Sequence, residues 1–516
     1  MGRADASGPA RRRLGLGVRS RYAGILHPRE KRTLDAFGRI ASTAAVPRPG
    51  ESIPGGAPGL AAVPSLPLRG TRPGRAGRPG LRTSFRASYA EGAAAELVAT
   101  CTGGTVLTAW ALQLGATPFV IGLLGALPLA AQVLHLPSAL LTQLLGPKPV
   151  AITAIGASRL VWLPLVALPF VSLSVAAELS LFIAVAAAAA VLGVLGNNAW
   201  VAWMGDLVPG PLRGRFFSRR TIYITVAGTL ASLSAGVALD AVTPLGLKPA
   251  MLSGLAALAC LAGILSVWLL LRQAAPRHVA DRKRPELRAL ARAALDPRTR
   301  PWLRYLLCWN AAVALSASFF SYHMLSYLGL GFAVVALHGV AVAVVRVATA
   351  PLWGHAVDRL GARPVLVLCS FGIAAVPALW LFIAPDFLWP LAVEAAAAGA
   401  LWAGHGIASM DLTLNSAPAD RRPYYVAVFG ATSGVGFGAA SVLAGFAAAS
   451  LPGHWDAFGT SWTAIHLLFL ASAAARALAA FTALHIEERA AHSLGAVVRT
   501  IAGHALASLK LRRLPG

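Results

Sequence analysis

The chain has 516 residues, of which 57% are hydrophobic and only 13% charged. A soluble globular surface needs about 25% charged residues, so a water-facing perimeter is excluded, and most soluble enzymes with it. The net charge of +25 would suggest nucleic acid on a soluble protein. On a chain that meets lipid it reads instead as the basic excess that gathers on one side of a membrane, and no nucleic-acid partner is expected.

Residues 1–88 form an N-terminal tail unlike the rest. Positions 1–87 hold 17 Lys/Arg against four acids, and 24 of them are Pro or Gly. Such a composition buries no core and predicts disorder. Arg11, Arg12 and Arg13 precede no apolar stretch, so a signal peptide is not expected. A transit peptide or a start codon called too early stays open beside the plainer reading, a basic tail near anionic lipid.

From residue 89 the chain is a series of apolar segments. A span needs about 20 apolar residues, and twelve are expected: 90–114, 118–142, 150–172, 176–205, 221–242, 248–271, 303–327, 330–354, 364–384, 388–412, 424–448 and 460–484. The fold class predicted is an all-α polytopic membrane protein with two six-helix bundles, 89–272 and 302–486. A central loop, 273–301, joins them and a tail, 487–516, follows. The cysteines, Cys101, Cys260, Cys308 and Cys369, lie in apolar stretches without CxxC spacing, so neither a disulfide framework nor a zinc site is predicted.

Charge fixes the expected orientation. With both termini on one side, that side collects 41 of the 45 basic residues, and Lys248 stands alone opposite. Basic loops stay cytoplasmic, so both termini are expected there, in a multi-pass protein of the bacterial inner (plasma) membrane. The halves also repeat. Leu114 through Pro137 matches Leu328 through Pro351 at an offset of 214, pairing Gly125 with Gly339, Glu96 with Asn310 and Gln132 with Arg346. A doubled six-helix unit about an axis along the membrane normal is a transporter architecture.

Between the eighth and ninth segments runs Gly354-His-Ala-Val-Asp358-Arg359-Leu-Gly361-Ala-Arg363. Glycine permits a tight turn, and a carboxylate near arginines makes bonds that a conformational change can break. The run resembles the GxxxDRxGxR loop of the major facilitator superfamily, at Gly354, Asp358, Arg359, Gly361 and Arg363. The resemblance implies that superfamily's fold, alternating access, and a carboxylate that caps a neighbouring helix end and latches the cytoplasmic side. The first-half copy departs from the pattern, with Gln143 and Leu144 where Asp and Arg would stand. A second run, Trp200 to Pro209 followed by Arg213-Gly-Arg215, resembles the loop after the fourth span in a bacterial branch of the superfamily. It adds Asp206 and Arg213 to the gating set, and a structural role is the plainer reading. The fifth segment lacks the GPxxGG of the superfamily's drug/proton exchangers.

Seven polar residues fall at one depth, roughly 10–14 Å from the basic face at 1.5 Å per residue: Glu96, Arg159, Asn197, Asn198, Asn310, Arg346 and His405. Charges there cost a few kcal/mol each unless paired or wet, which suggests a shared cavity. The alternatives are structural: a Glu96–Arg159 ion pair, helix-to-helix hydrogen bonds from Asn197 and Asn198, and a packed His405. Glu91 and Glu394 read as interfacial, and His135, His323 and His338 have no nameable partner. There is no P-loop, HExxH or GxSxG, so no ATP-driven or enzymatic chemistry and no cofactor or metal is expected. The function expected is secondary active transport of a small solute by alternating access, in a monomer contacting membrane lipids. Proton coupling through Glu96 is one mechanism, with Arg159 and Arg346 to counter a carboxylate or phosphate. The alternative is a non-transporting sensor, assembly factor or scaffold of the same fold.

Overall fold

A computed structural model describes residues 80–209, 212–275, 287–418, 421–451, 455–457 and 460–488. Expectations about the outermost tails lie outside the described residues. In lipid an open backbone finds no hydrogen-bond partner, so apolar segments fold as helices. The first half contains α1 (Leu81–Thr102), α2 (Gly104–Gln113), α3 (Pro118–Ala130), α4 (His135–Leu145), α5 (Pro147–Leu160), α6 (Leu163–Ala167), α7 (Val175–Leu207), α8 (Arg213–Val242) and α9 (Lys248–Leu271). After a short α10 (Leu287–Leu295) come α11 (Arg300–Ala317), α12 (Phe319–Ser326), α13 (Phe332–Leu360), α14 (Ala362–Leu379), α15 (Pro390–Asn415), α16 (Arg422–Ser450) and α17 (Ala464–Ala483). Two three-residue strands, β1 (Trp455–Ala457) and β2 (Thr460–Trp462), pair before α17.

Among the described residues, ten helical stretches are long and apolar enough to cross a membrane. An eleventh is added if the pair Pro118–Leu134 and Pro137–Leu145, bent by 54°, is one span. The twelve expected spans are thus ten or eleven by that measure. The first fails it because it breaks after Thr102, where Gly104 takes φ +50°. Pro128 and a 3-10 turn at Ala131–Leu134 account for the bend in the second, since proline removes a helical hydrogen bond and crowds the preceding turn.

Two boundaries differ from expectation. Helix α1 starts at Leu81, eight residues before the bundle boundary expected at 89. The expected central loop contains α10, whose Ala289 and Ala293 are buried. Next to it, the Tyr425 hydroxyl donates to Asp296 Oδ2 at 2.7 Å and holds that carboxyl below its usual range.

Within the first half α1 packs on α8 and α9, and α5 on α7; within the second, α11 packs on α16 and α17, and α13 and α14 on α15. Exposed apolar rows such as Val226, Leu230 and Val237 on α8 fit lipid, because a patch of that kind has no place in water. The residues near Leu81 and Ile486, α10 and the turns at Gly146 and Gly361 mark one end of the bundle, the tail end. The turns at Gly115, Gly246 and Gly329 mark the far end.

The repeat is visible in the backbone. Gly115 and Gly329 have φ +67° and +63°, and Gly146 and Gly361 have +89° and +94°; side chains rarely adopt such angles. Two turn-flanking cations also correspond. Lys148 Nζ donates to Gln273 O at 2.6 Å and Leu271 O at 3.4 Å, closing α5 onto the end of α9. Arg363 Nη2 donates to Leu484 O at 2.6 Å, closing α14 onto the end of α17. Each cation meets the carbonyl-rich, negative end of a helix.

The halves meet through α3 with α16 and α8 with α13. A Cβ at Gly122 would lie 2.7 Å from Gly445 Cα and Ser441 O, so this crossing needs glycine on both helices. Ser441 Oγ donates to Gly122 O at 2.8 Å. Across the other contact, the Asp240 carboxylate accepts from Phe332 N and Ala333 N at 2.7 and 2.8 Å, capping α13 where its free N–H groups need acceptors. These hydrogen bonds between halves lie at the far end.

Candidate substrate and coupling site

Helix α1 carries two carboxylates toward α5, α8 and α9. Glycines bring the helices close: a Cβ at Gly228 would come within 2.9 Å of Glu96 Cγ, and one at Gly263 within 2.4 Å of Arg159 Cβ. Glu91 is the paired carboxylate. Arg220 Nη2 donates to its Oε2 at 2.8 Å, Ser266 Oγ donates to Oε1 at 3.1 Å, and the Arg220 guanidinium lies 4.2 Å from the Trp200 ring centre. Glu91 is therefore a buried ion-pair partner rather than an interfacial acid.

Arg159 is less well served. Its Nη1 donates to Ala95 O at 3.4 Å, and its buried Nε has no hydrogen-bond partner. The ion pair here is Arg220 with Glu91, so the structural alternative, a Glu96–Arg159 ion pair, is not the contact seen. Glu96, Arg159 and Asn197 instead line one cavity of about 350 Å³ together with Glu91, Arg220, Trp162 and Trp200. A second cavity of about 440 Å³ lies between the halves, lined by Glu96, Thr100, Thr225 and Ser232 on one side and Val335, Ala336 and Gly339 on the other. Glu96 borders both.

The other four residues of the layer do not join them. Asn198 is within side-chain hydrogen-bonding reach of His135. Asn310 Nδ2 donates to Leu306 O, 2.7 Å away in its own helix. Arg346 is exposed on α13, three residues beyond the cavity-lining Ala343. His405 is buried, with Nε2 2.8 Å from Tyr305 Oη and its ring stacked on Trp309 at 4.9 Å. Equal depth put these residues on one level, but their helix faces point elsewhere.

Several buried polar residues were not among the sequence candidates. Arg476 of α17 is 2% exposed and donates through Nη2 to Ser316 Oγ at 2.9 Å. It stands 213 residues after Gly263, the glycine on which Arg159 rests, so each half buries an arginine at a corresponding place from a different helix. Glu394 is also buried rather than interfacial, with Oε2 2.6 Å from His338 Nε2. A helical wheel anchored on the true helix starts would have turned Glu91 and Glu394 inward.

At the tail end, Gly354 lies within α13 and Gly361 forms the turn into α14, while Asp358 and Arg359 are exposed. The N–H groups of Ala362 and Arg363 are capped by Glu488, at 2.9 and 2.8 Å. Arg213 closes α7, donating through Nη2 to Gly205 O at 2.5 Å and through Nε to Val208 O at 3.2 Å, and Asp206 is exposed.

Comparison with known proteins agrees with this architecture. The Major Facilitator Superfamily model matches residues 311–513. The fold is shared with the nucleoside transporter NupG (13% identity, 79% of this chain and 98% of that one, TM-score 0.57). It is shared also with a D-xylose-proton symporter (14%, 80% and 98%, TM-score 0.59) and with the inward open xylose transporter XylE from E. coli (13%, 81% and 99%, TM-score 0.59). No curated protein sequence matches. The family model covers residues 311–513, and the likeness to these structures, at 13–14% identity, shows a shared fold across both halves of a multi-pass membrane protein.

Proposed function

We propose that the protein is a secondary transporter that moves a small solute between its two halves by alternating access, with Glu96 as the proton-carrying group. The observation that carries this reading is the position of Glu96, on the wall of both the side cavity and the cavity between the halves. A carboxylate that is not locked in an ion pair and borders a path between bundles can exchange a proton when that path is wet. The glycine crossing of α3 with α16 and the Asp240 cap on α13 close the far end. Asp358 and Arg359, exposed at the tail end, are then the groups that latch that end in the opposite state, with Gly361 and Arg363 shaping the turn.

The test uses purified full-length protein in liposomes and a solute panel that includes D-xylose and nucleosides. An imposed proton gradient should drive accumulation of a panel solute by the native chain. Glu96→Gln should fold, exchange that solute across the membrane and lose gradient-driven accumulation, because the amide mimics the protonated acid. A Glu96→Gln protein that still concentrates solute would remove the proton-coupling role. Solute binding with no flux would favour a sensor or scaffold.

A further inference from the structure

We infer that the cavity enclosed by α1, α5, α7 and α8 is a binding site for a small organic monoanion, a carboxylate on a compact apolar body, taken up at Arg159 together with a proton on Glu96. This deepens the transporter reading above and rests on it for the cavity's role in transport.

The argument begins with an unfinished cation. A guanidinium has five N–H donors and no neutral form to retreat to. Arg159 has a single 3.4 Å contact to Ala95 O, and a buried Nε with no partner. A buried donor left unmade is costly, more so when charged, and a cation inside a span normally meets a counter-charge or water. Its neighbours do not supply the missing bonds. Glu91 is taken by Arg220 and Ser266, and Glu96 is beyond ion-pair distance although it lines the same cavity. Arg159 and Glu96 both line the cavity.

Charge then selects the ligand. The groups facing Glu96 are Glu91 on its own helix, Arg159 on α5 and Arg220 on α8; Ser266 of α9 and Asn197 of α7 add only neutral polarity. Two arginines balance two carboxylates, so the empty site is neutral. A neutral sugar could accept from Arg159 through its hydroxyls but would bring no counter-charge. A monoanion bridging to Arg159 would make the site negative unless Glu96 is neutralised, and a proton there restores balance. Glu96 also borders the central cavity, which Arg159 does not, so the proton has its own approach. A dianionic phosphate would want a second free cation; Arg220, although its Nε is also unpartnered, already has its charge met by Glu91 and lies over Trp200. Trp162, Trp200, Ile155 and Ile224 supply the walls for an apolar body, in the manner of pockets that orient a ligand with few polar groups.

The experiment measures binding of benzoate, benzamide and phenylalanine to the detergent-solubilised full chain by calorimetry in a weak buffer, so that proton uptake is read together with affinity. Benzoate should bind with uptake of roughly one proton, while benzamide should not bind. Arg159→Lys, which keeps the charge but loses the forked donors, should weaken benzoate by roughly ten- to a hundredfold with an unchanged size-exclusion profile. Glu96→Gln should bind benzoate without proton uptake. Equal binding of benzamide, tighter binding of phenylalanine without proton uptake, or unaltered proton uptake by Glu96→Gln would each overturn the proposal. If D-xylose or a nucleoside is transported, benzoate does not bind, and Arg159→Lys leaves that transport intact, the transporter reading stands and the anion site falls. Benzoate binding with proton uptake but no flux of any solute would support the site and sink the transporter reading.

Discussion

Glu91 and Glu96 lie five residues apart on α1 and have opposite surroundings. Glu91 is closed off by Arg220 and Ser266, whereas Glu96 faces two cavities. Removing one partner of a buried pair leaves an uncompensated charge and costs about 3–5 kcal/mol. Glu91→Gln should therefore sharply reduce folded protein, measured as monodisperse yield or melting temperature. Adding Arg220→Gln should recover much of the loss, because both charges then disappear together. If Glu91→Gln alone is as stable as the native chain, the pair contributes nothing to the fold. Glu96, Arg159 and Asn197, expected at one level, line one cavity, but Glu91 was expected at the interface because the helix was expected to begin near residue 90. A start at Leu81 adds more than two turns at 3.6 residues each and carries Glu91 into the bundle. No local pattern announces that start: Gly80 offers no side-chain cap, and Arg82 and Arg86 resemble the basic tail before them.

At the level of helices, the apolar runs were legible because lipid forces helix on any apolar segment, and the glycine offsets marked the repeat. Breaks inside segments were harder to read. Gly104 and Pro128, which break α1 from α2 and bend the next span, sit inside continuous apolar runs, and helix α10 hides in a run of arginines. The interhelix contacts suggest a two-ended test of alternating access. At the far end, Gly122→Ala places a methyl 2.7 Å from Gly445 Cα and should push α3 from α16. At the tail end, Asp358→Asn removes the charge proposed to latch that end when it closes. A cysteine at Ala336, which lines the central cavity, reports both. Its labelling by an impermeant reagent from the far side should rise with Gly122→Ala and fall with Asp358→Asn. Asp358→Asn should also slow turnover more than it weakens solute affinity. Shifts of the same sign in both variants would mean that the ends are not coupled.

For the whole molecule, the one-sided distribution of basic residues predicts the orientation of the bundle in the membrane. The tail end carries Lys148, the arginines at 213–220 and those from Arg288 to Arg304, while Lys248 is the lone cation of the far-end turns. Translocation of basic loops is disfavoured when they are short, so the tail end should be cytoplasmic. Lys148 and Arg363 close helix C-termini at that end. A cysteine introduced at Arg298, on the exposed turn before α11, should resist an impermeant thiol reagent in intact cells and react after the membrane is opened. One introduced at Leu247, 53% exposed beside Lys248, should react in intact cells. The reverse pattern would turn the molecule over, making the far end cytoplasmic and reversing the direction in which the closed and open ends must be read.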